Sequence, residues 1–308
     1  MTEPREPAVT KADVEAAAAR IAGHVRRTPV LRVILGGRDV WLKLEQLQIT
    51  GSFKARGATN ALHAMSPRPP AVVAASGGNH GMGVAFAAAT IGASATIVVP
   101  TTIPPEKARR IAALDATVVR HGDAYAATEQ RARTLAEELG VAFLHPFADP
   151  AVIAGQGTIA LEVLADTDAD IVVAAVGGGG LLSGIGVGLS GSGVRAVGVE
   201  PTGIRTMYAA LQRGTPVDVG VASVTASALG AGRTTQRNLD LVAAHTEGVV
   251  LVTDAATLAA RDLLWDACRI AVEPAGAIGL AAVLDGQVGG DRPCVVLCGA
   301  NSAWVPAS

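Results

Sequence analysis

The apolar positions of this chain alternate between two rhythms. Short runs rich in β-branched and aliphatic residues, "DVWLKLE", "AVVAAS", "ATIVVP", "TVVR", "AFLH", "DIVVAAV", "VRAVGVE", "GVVLVT" and "PCVVLCG", are too short for helices and read as strands. Between them, "FKARGATNALHAM", "HGMGVAFAAATIG", the stretch after Pro104 and Pro105 and residues 123–139 carry helical patterning. Thr10 followed by Asp13 marks a capped start for a first helix, which runs to Ile21 and ends at Gly23. Continuous apolar strands separated by helices imply parallel sheets covered on both faces. Roughly nine or ten strands exceed what one twisted open sheet usually holds. The expected fold is therefore α/β, with two open twisted mostly parallel sheets, flanking helices and a cleft between two lobes. In such sheets ligands bind beyond the carboxyl ends of strands, so the loops that follow strands are where chemistry belongs.

Charge and composition narrow the partners. With 25 Lys and Arg against 27 Asp and Glu, the net charge of −2 offers no broad attraction to nucleic acid or an anionic membrane, and small molecules are the expected partners. The 308 residues provide ample core, and three cysteines, Cys268, Cys294 and Cys298, fit a reduced compartment; cytoplasm is the expectation. The N-terminal "MTEPREPAVTKADVE" has no apolar run of signal-peptide length. Residues 171–194 carry no charge, but seven glycines in the first eighteen positions suit a strand, a tight loop and a helix better than a membrane span.

Four loops after strands stand out. "EQLQITGSFKARGA" follows "VWLKL" and places Lys54 and Arg56 two apart in apolar surroundings. "ASGGNHGMG", with Ser76, Gly77, Gly78, Asn79 and His80, offers backbone N–H groups at a helix start as a receptor for a carboxylate or ring hydroxyl; a flexible turn capped by Ser76 or Asn79 is the alternative. "VGGGGLLSG" lets successive N–H groups of Gly177, Gly178, Gly179 and Gly180 turn around a phosphate, against the alternative of a close-packed strand-to-helix turn. One glycine would suffice for packing alone, which favours the phosphate. "VVLCGANS" puts Cys298 at the tip of the last strand, with Cys294 as core filler. A dinucleotide pattern, G-x-G-x-x-G, occurs at "GVGLSG" within or after a helix, with Glu200 where an acid for a ribose hydroxyl could sit. The six histidines, 24, 63, 80, 121, 145 and 245, show no close pairing that points to a catalytic metal.

Taken together, "GSFKARGA", "SGGNHG", "GGGGLLSG", "VEPAGA" and "CGAN", in that order along nearly the whole chain, resemble the fold type II family of pyridoxal phosphate enzymes and, within it, the serine/threonine dehydratases (threonine ammonia-lyases). The resemblance implies a tryptophan synthase β-like fold with a large cofactor-binding domain formed by residues 1–60 plus 146–308 and a small domain, residues 61–145, carrying the substrate loop. Lys54 would hold pyridoxal 5'-phosphate as a Schiff base, its pKa lowered by a dry cleft near other cationic charge. Gly177, Gly178, Gly179, Gly180 and Leu181 would bind the phosphate, Asn79 the ring hydroxyl, and Phe53 would pack near the ring. The backbone of Ser76, Gly77, Gly78, Asn79 and His80 would hold the substrate carboxylate. Cys298 would face the pyridine nitrogen as a neutral partner, making the ring a mild electron sink suited to β-elimination. A homodimer is the family expectation.

Departures from relatives narrow the implied activity. Gly77 stands where the racemase branch has a serine that acts as second acid/base, so racemisation is expected to be poor. Cation-binding relatives use an acid at the position of Glu200 and another six residues on, where this chain has Thr206; that metal site is incomplete. Ala55 followed by Arg56 matches dehydratases rather than the sulfhydrylase and threonine synthase branches, which carry an aspartate. With the chain ending at Ser308, no regulatory domain is expected. The leading reading is conversion of L-threonine or L-serine to a 2-oxo acid and ammonia. Two alternatives are a sister lyase for another β-hydroxy amino acid, such as 3-hydroxyaspartate or a hydroxyectoine breakdown product, and a non-catalytic binder of amino acids or nucleotides.

Overall fold

The computed structural model describes residues 9–302 and 304, so most of the N-terminal stretch read for a signal peptide and the final Ser308 lie outside the described residues. The first helix, α1 (Lys11–Ile21), opens on a reciprocal cap: the Thr10 side chain accepts from the Asp13 backbone N–H, and the Thr10 N–H donates to Asp13 Oδ2 at 2.8 Å. A hairpin follows, β1 (Val30–Leu35) and β2 (Arg38–Lys43), turned by Gly36 and Gly37, both at positive φ. The sequence pattern did not announce β1. It is an edge strand whose Ile34 is 72% exposed, so its apolar run matches neither a buried strand nor clean alternation.

From there helices and strands alternate as expected: α2 (Lys54–Ala64), β3 (Ala71–Ala75), α3 (Asn79–Thr90), β4 (Ser94–Val99), α4 (Pro105–Ala112), β5 (Thr117–Arg120), α5 (Tyr125–Leu139) and β6 (Ala142–Phe143). They continue with α6 (Pro150–Asp166), β7 (Ile171–Ala175), α7 (Gly180–Leu189), β8 (Arg195–Pro201), α8 (Thr206–Arg213), α9 (Ala226–Leu229), α10 (Gln236–His245), β9 (Val249–Val252), α11 (Asp254–Cys268), α12 (Pro274–Leu284) and β10 (Pro293–Val296). Two sheets result. One runs β1-β2-β10-β7-β8-β9 and is parallel except for the β1–β2 pair; the other runs β5-β4-β3-β6 and is parallel throughout. The charge-free stretch 171–194 is β7, a glycine loop and α7, and among the described residues no helix is long and apolar enough to cross a membrane.

Helix α6 holds the two halves of the future site together. A Cβ on its Gly155 would lie 2.6 Å from the Gly57 Cα of α2, and one on Gly157 would lie 2.6 Å from the Gly184 carbonyl oxygen of α7. Both separations are shorter than real Cβ contacts allow, so glycine is required for three helices to stack this closely. The helix that begins with Lys54 and the helix that begins with Gly180 are thereby locked to one support. On the other side, a Cβ at Gly83 would sit 3.0 Å from the Lys54 carbonyl, so α3 rests directly on the first turn of α2.

Candidate functional site

The loops after β2, β3, β7 and β10 converge on one cavity of about 450 Å³. Residues 53–54, 76–80 and 177–181 and Cys298 all line it, so the cofactor and substrate residues expected from the sequence come together in one place. Glu200 does not. The loop that starts α2 is tied to the one after β10: the Phe53 N–H donates to the Cys298 carbonyl at 3.1 Å, Ala300 N–H to the Gly51 carbonyl at 3.0 Å, and Ser52 bridges to Gly299.

Lys54 Nζ donates to the Pro146 carbonyl at 2.8 Å and lies 5.1 Å from the centre of the Phe53 ring. Burial lowers its pKa to about 8, and the neighbouring Cys298 acts in the opposite direction. The expected depression is present, but desolvation produces it rather than a neighbouring cation. An amine with that pKa is a nucleophile for part of the population near neutral pH.

The glycine run has a second reason to exist. A Cβ on Gly178 would lie 2.4 Å from the Phe147 ring, one on Gly179 2.5 Å from Met207 Cε, one on Gly180 3.0 Å from Phe147 and one on Gly177 3.2 Å from Leu229. Close packing therefore asks for glycine at several of these positions, which corrects the inference that one would suffice. The anion receptor is compatible with this packing: Gly179, at φ 98°, caps α7, and the first intrahelical bond is Ser183 N–H to the Gly179 carbonyl at 2.9 Å. The N–H groups of Gly180, Leu181 and Leu182 precede that bond and have no intrahelical acceptor. An amine and a helix N-terminus lining one cavity fit a group that carries both an aldehyde and a phosphate.

The asparagine loop is built differently from either capping expectation. Gly78 is the N-cap of α3 without a side-chain cap, while Ser76 Oγ accepts from the Gly78 N–H at 3.2 Å. His80 bonds the Leu144 carbonyl at 2.9 Å, and burial, with the nearby Lys54 charge, brings its pKa to about 3; the ring is neutral and structural. Asn79 Nδ2 donates to Glu273 Oε1 at 2.6 Å. Glu273, the N-cap of α12, also lines the cavity, and burial pushes its carboxyl upward against the pull of Asn79, Lys107 and Arg110. Sequence reading placed "VEPAGA" but assigned Glu273 no role; an acid immediately before a proline that starts a helix was the available signal. Asn301, which donates to Asn79 Oδ1 at 2.8 Å, was missed in the same way.

Cys298 lies two residues past β10, is 2% exposed and donates weakly to the Ala275 carbonyl at 3.3 Å. Burial raises its pKa, so it stays a neutral thiol. Cys294 is fully buried and pushed up to about 12, as filler should be. Arg56 neither faces the cavity nor snorkels to solvent. It is completely buried, forked between Glu45, at 2.8 and 2.9 Å, and Glu162, at 2.7 and 2.9 Å, and Glu162 also accepts from Lys43 at 2.5 Å.

Glu200 has a structural occupation: its carboxylate accepts from the Met207 and Tyr208 N–H groups at 2.7 and 2.9 Å, capping α8, and burial raises its pKa to about 7. Thr206 Oγ1 donates to the Ala231 carbonyl at 2.6 Å. Among the described residues no group of three His, Cys, Asp or Glu could hold a metal ion. The G-x-G-x-x-G match lies in α7 and just past its end, where Gly186 packs on His245 and Gly188 on Ala160 rather than on the cavity, which removes the dinucleotide reading. Residues 226–231, in and just after α9, complete the wall of the cavity.

The fold and the cavity define a class. Residues 21–299 match the model of the pyridoxal-phosphate dependent enzyme family, and the chain belongs to it. It is 37% identical over 304 residues to the L-threonine ammonia-lyase of Thermotoga maritima, covering 95% of this chain and 76% of that protein. Among solved structures it resembles a T.th. threonine deaminase, with a TM-score of 0.90 and 36% identity over 97% of this chain and 100% of that one. It also resembles maize serine racemase, with a TM-score of 0.91 and 28% identity over 96% and 94% of the two chains.

Proposed function

We propose that this protein uses pyridoxal phosphate to convert L-threonine, L-serine or both to a 2-oxo acid and ammonia by β-elimination. The observation that carries the reading is the joint placement of the Lys54 amine, the N-terminus of α7 and Asn79 around one cavity. The relative from Thermotoga maritima is named for threonine cleavage, which supports the choice of substrate. The cofactor supplies an electron sink for the carbanion at the substrate α-carbon.

The chain's own groups divide the remaining work. Lys54 would hold the cofactor through Nζ and, once the substrate amine has displaced it, the freed Nζ would accept the α-proton. Gly177, Gly178, Gly179, Gly180 and Leu181 would hold the phosphate by backbone N–H groups, and Phe53 would pack on the ring. Asn79 would donate to the ring oxygen, and the neutral Cys298 thiol would meet the ring nitrogen without charging it. Backbone N–H groups of Ser76, Gly77, Gly78, Asn79 and His80 bind the substrate carboxylate at the start of α3. We place the small lobe at residues 61–145 and the large one at 1–60 plus 146–308, since β3, β4, β5 and β6 all fall in the former. A homodimer is supported by exposed apolar side chains on the edge strand and the loop after β2, Leu31, Ile34, Leu47 and Ile49. The free thiols Cys268, Cys294 and Cys298 favour a cytoplasmic location.

Borohydride reduction of the coloured protein followed by peptide mass analysis tests the anchor: the cofactor mass belongs on the Lys54 peptide, and coloured protein with that peptide unlabelled would remove the assignment. Release of 2-oxo acid is then compared across threonine, serine and 3-hydroxyaspartate. The substrate reading fails if neither threonine nor serine yields one, and D-serine accumulating from L-serine would overturn the role given to Gly77.

A further inference from the structure

Four side chains form a continuous relay across the cleft beside the cavity. Arg110 of α4 donates to Asn301 Oδ1; Asn301 Nδ2 donates to Asn79 Oδ1 at 2.8 Å; Asn79 Nδ2 donates to Glu273 Oε1 at 2.6 Å. A second N–H of Asn301 goes to the Thr50 carbonyl at 2.8 Å. A guanidinium can only donate and an ionised carboxylate can only accept. The ends therefore dictate the middle, and each amide turns its oxygen toward Arg110 and its nitrogen toward Glu273. The Thr50 carbonyl, acceptor-only as well, joins Arg110 in setting the Asn301 amide, which with Glu273 sets that of Asn79.

The relay is enclosed where it matters. Glu273 is 3% exposed and Asn301 6%, so the hydrogen bonds work in low dielectric and polarise one another. Gly299 makes the approach possible: a Cβ there would lie 2.6 Å from Glu273 Oε1 and 3.3 Å from Asn79 Nδ2. Asn79 and Glu273 line the cavity with Lys54, whereas Arg110 is an exposed helix residue outside it.

We propose that Glu273 and Arg110 are positioning residues that fix the orientation of the Asn79 amide, so that its second N–H is offered to the cofactor as a donor. The inference rests on the reading that this cavity holds pyridoxal phosphate. Glu273 takes one hydrogen of Nδ2 and leaves the other for an acceptor oxygen on the ring; Arg110, from the far end, excludes the flipped amide that would present an oxygen instead. Both residues act through Asn79.

The test uses cofactor-free full-length protein, wild type and two variants, titrated with pyridoxal phosphate while the visible band is recorded and the label on Lys54 is verified. Glu273→Gln keeps the size and a hydrogen-bonding group but removes the acceptor-only end; Arg110→Met removes the donor-only end from an exposed position on α4, and the melting temperature of each variant is recorded alongside. Each variant is expected to bind the cofactor about tenfold more weakly, the difference between a charge-assisted and a neutral hydrogen bond, and to shift the visible band in the same direction. The double variant should lose less than the product of the two single effects, because both act through one chain of bonds. A purely structural role would lower the melting temperature and leave the band in place. Unchanged affinity and band in Glu273→Gln, or an Arg110→Met variant identical to wild type, overturns the relay. Wild-type protein that takes up no cofactor at Lys54 overturns the underlying reading and the relay together.

Discussion

Replacing Arg56 by Met removes the hub of the buried charge cluster beneath the lysine helix. In the native chain its guanidinium makes two hydrogen bonds to Glu45 and two to Glu162, and neither Arg56 nor Glu45 is exposed. After the change Glu162 keeps Lys43 at 2.5 Å, but Glu45 keeps only the Thr28 hydroxyl. An uncompensated buried carboxylate of this kind costs about 3–5 kcal/mol. For a chain of this size about 2 °C of melting temperature goes with each kcal/mol, so Arg56→Met should melt roughly 6–10 °C lower near pH 8. Arg56→Lys should recover little of this, because one ammonium cannot fork to two carboxylates.

The pH dependence gives a second, independent check. Burial pushes the Glu162 carboxyl up, but the hydrogen bonds and charges of Arg56 and Lys43 outweigh it and leave its pKa below the usual value. A carboxyl depressed in the folded state stabilises above its unfolded pKa, and that stabilisation is lost as pH falls through the folded value. The Glu162 stabilisation is fully present above the unfolded value, so the gap between wild type and variant should hold from about pH 8 down to about 4.5 and narrow as pH falls further. Differential scanning calorimetry across that range is the assay. A difference under about 2 °C at pH 8, or one that widens on acidification, would refute the argument that the cluster is a coupled structural unit.

Four further outcomes follow from the site and its surroundings. Cofactor capture by the apo-protein should accelerate as pH rises through about 8, where Lys54 loses its proton, and a rate flat across that range would contradict the desolvated amine. Since the folded pKa of Lys54 lies below its unfolded value, the charged amine destabilises the apo-protein below about pH 8, and this penalty disappears as pH rises past the unfolded pKa; Lys54→Met should therefore raise apo stability at neutral pH by about 2 kcal/mol after discounting for partial exposure, as read by urea unfolding. Gly77→Ser should introduce D-serine formation from L-serine: its Cβ would meet the flexible end of Ile103 at 2.9 Å, which can move, and chiral chromatography showing none would mean that more than a hydroxyl is missing. In native protein a maleimide should modify half-buried Cys268 well before Cys294 and Cys298, both below 3% exposed, and equal rates by mass spectrometry would show that the core opens readily.

Much of this was written in the linear sequence. Short apolar runs between helical stretches marked nine of the ten strands among the described residues and the two-sheet plan, because period and turn residues are local properties. The edge strand β1 escaped, since its partial exposure comes from its place in the sheet. The loops that line the cavity were also legible: Lys54, Asn79, the glycine run and Cys298 each follow a strand, and strand ends of parallel sheets face one way. Tertiary structure decided the rest. That Arg56 is sealed between two glutamates depends on Glu162 arriving from a helix 106 positions away. That four glycines answer to packing as well as to an anion depends on Phe147, Met207 and Leu229 closing over them. That Glu273 and Arg110 sit at opposite ends of one relay through Asn79 depends on two sheets meeting across a cleft. Local pattern encodes which groups can exist at a strand end; which donors face which acceptors is set by long-range closure, where burial makes each unmatched polar atom costly.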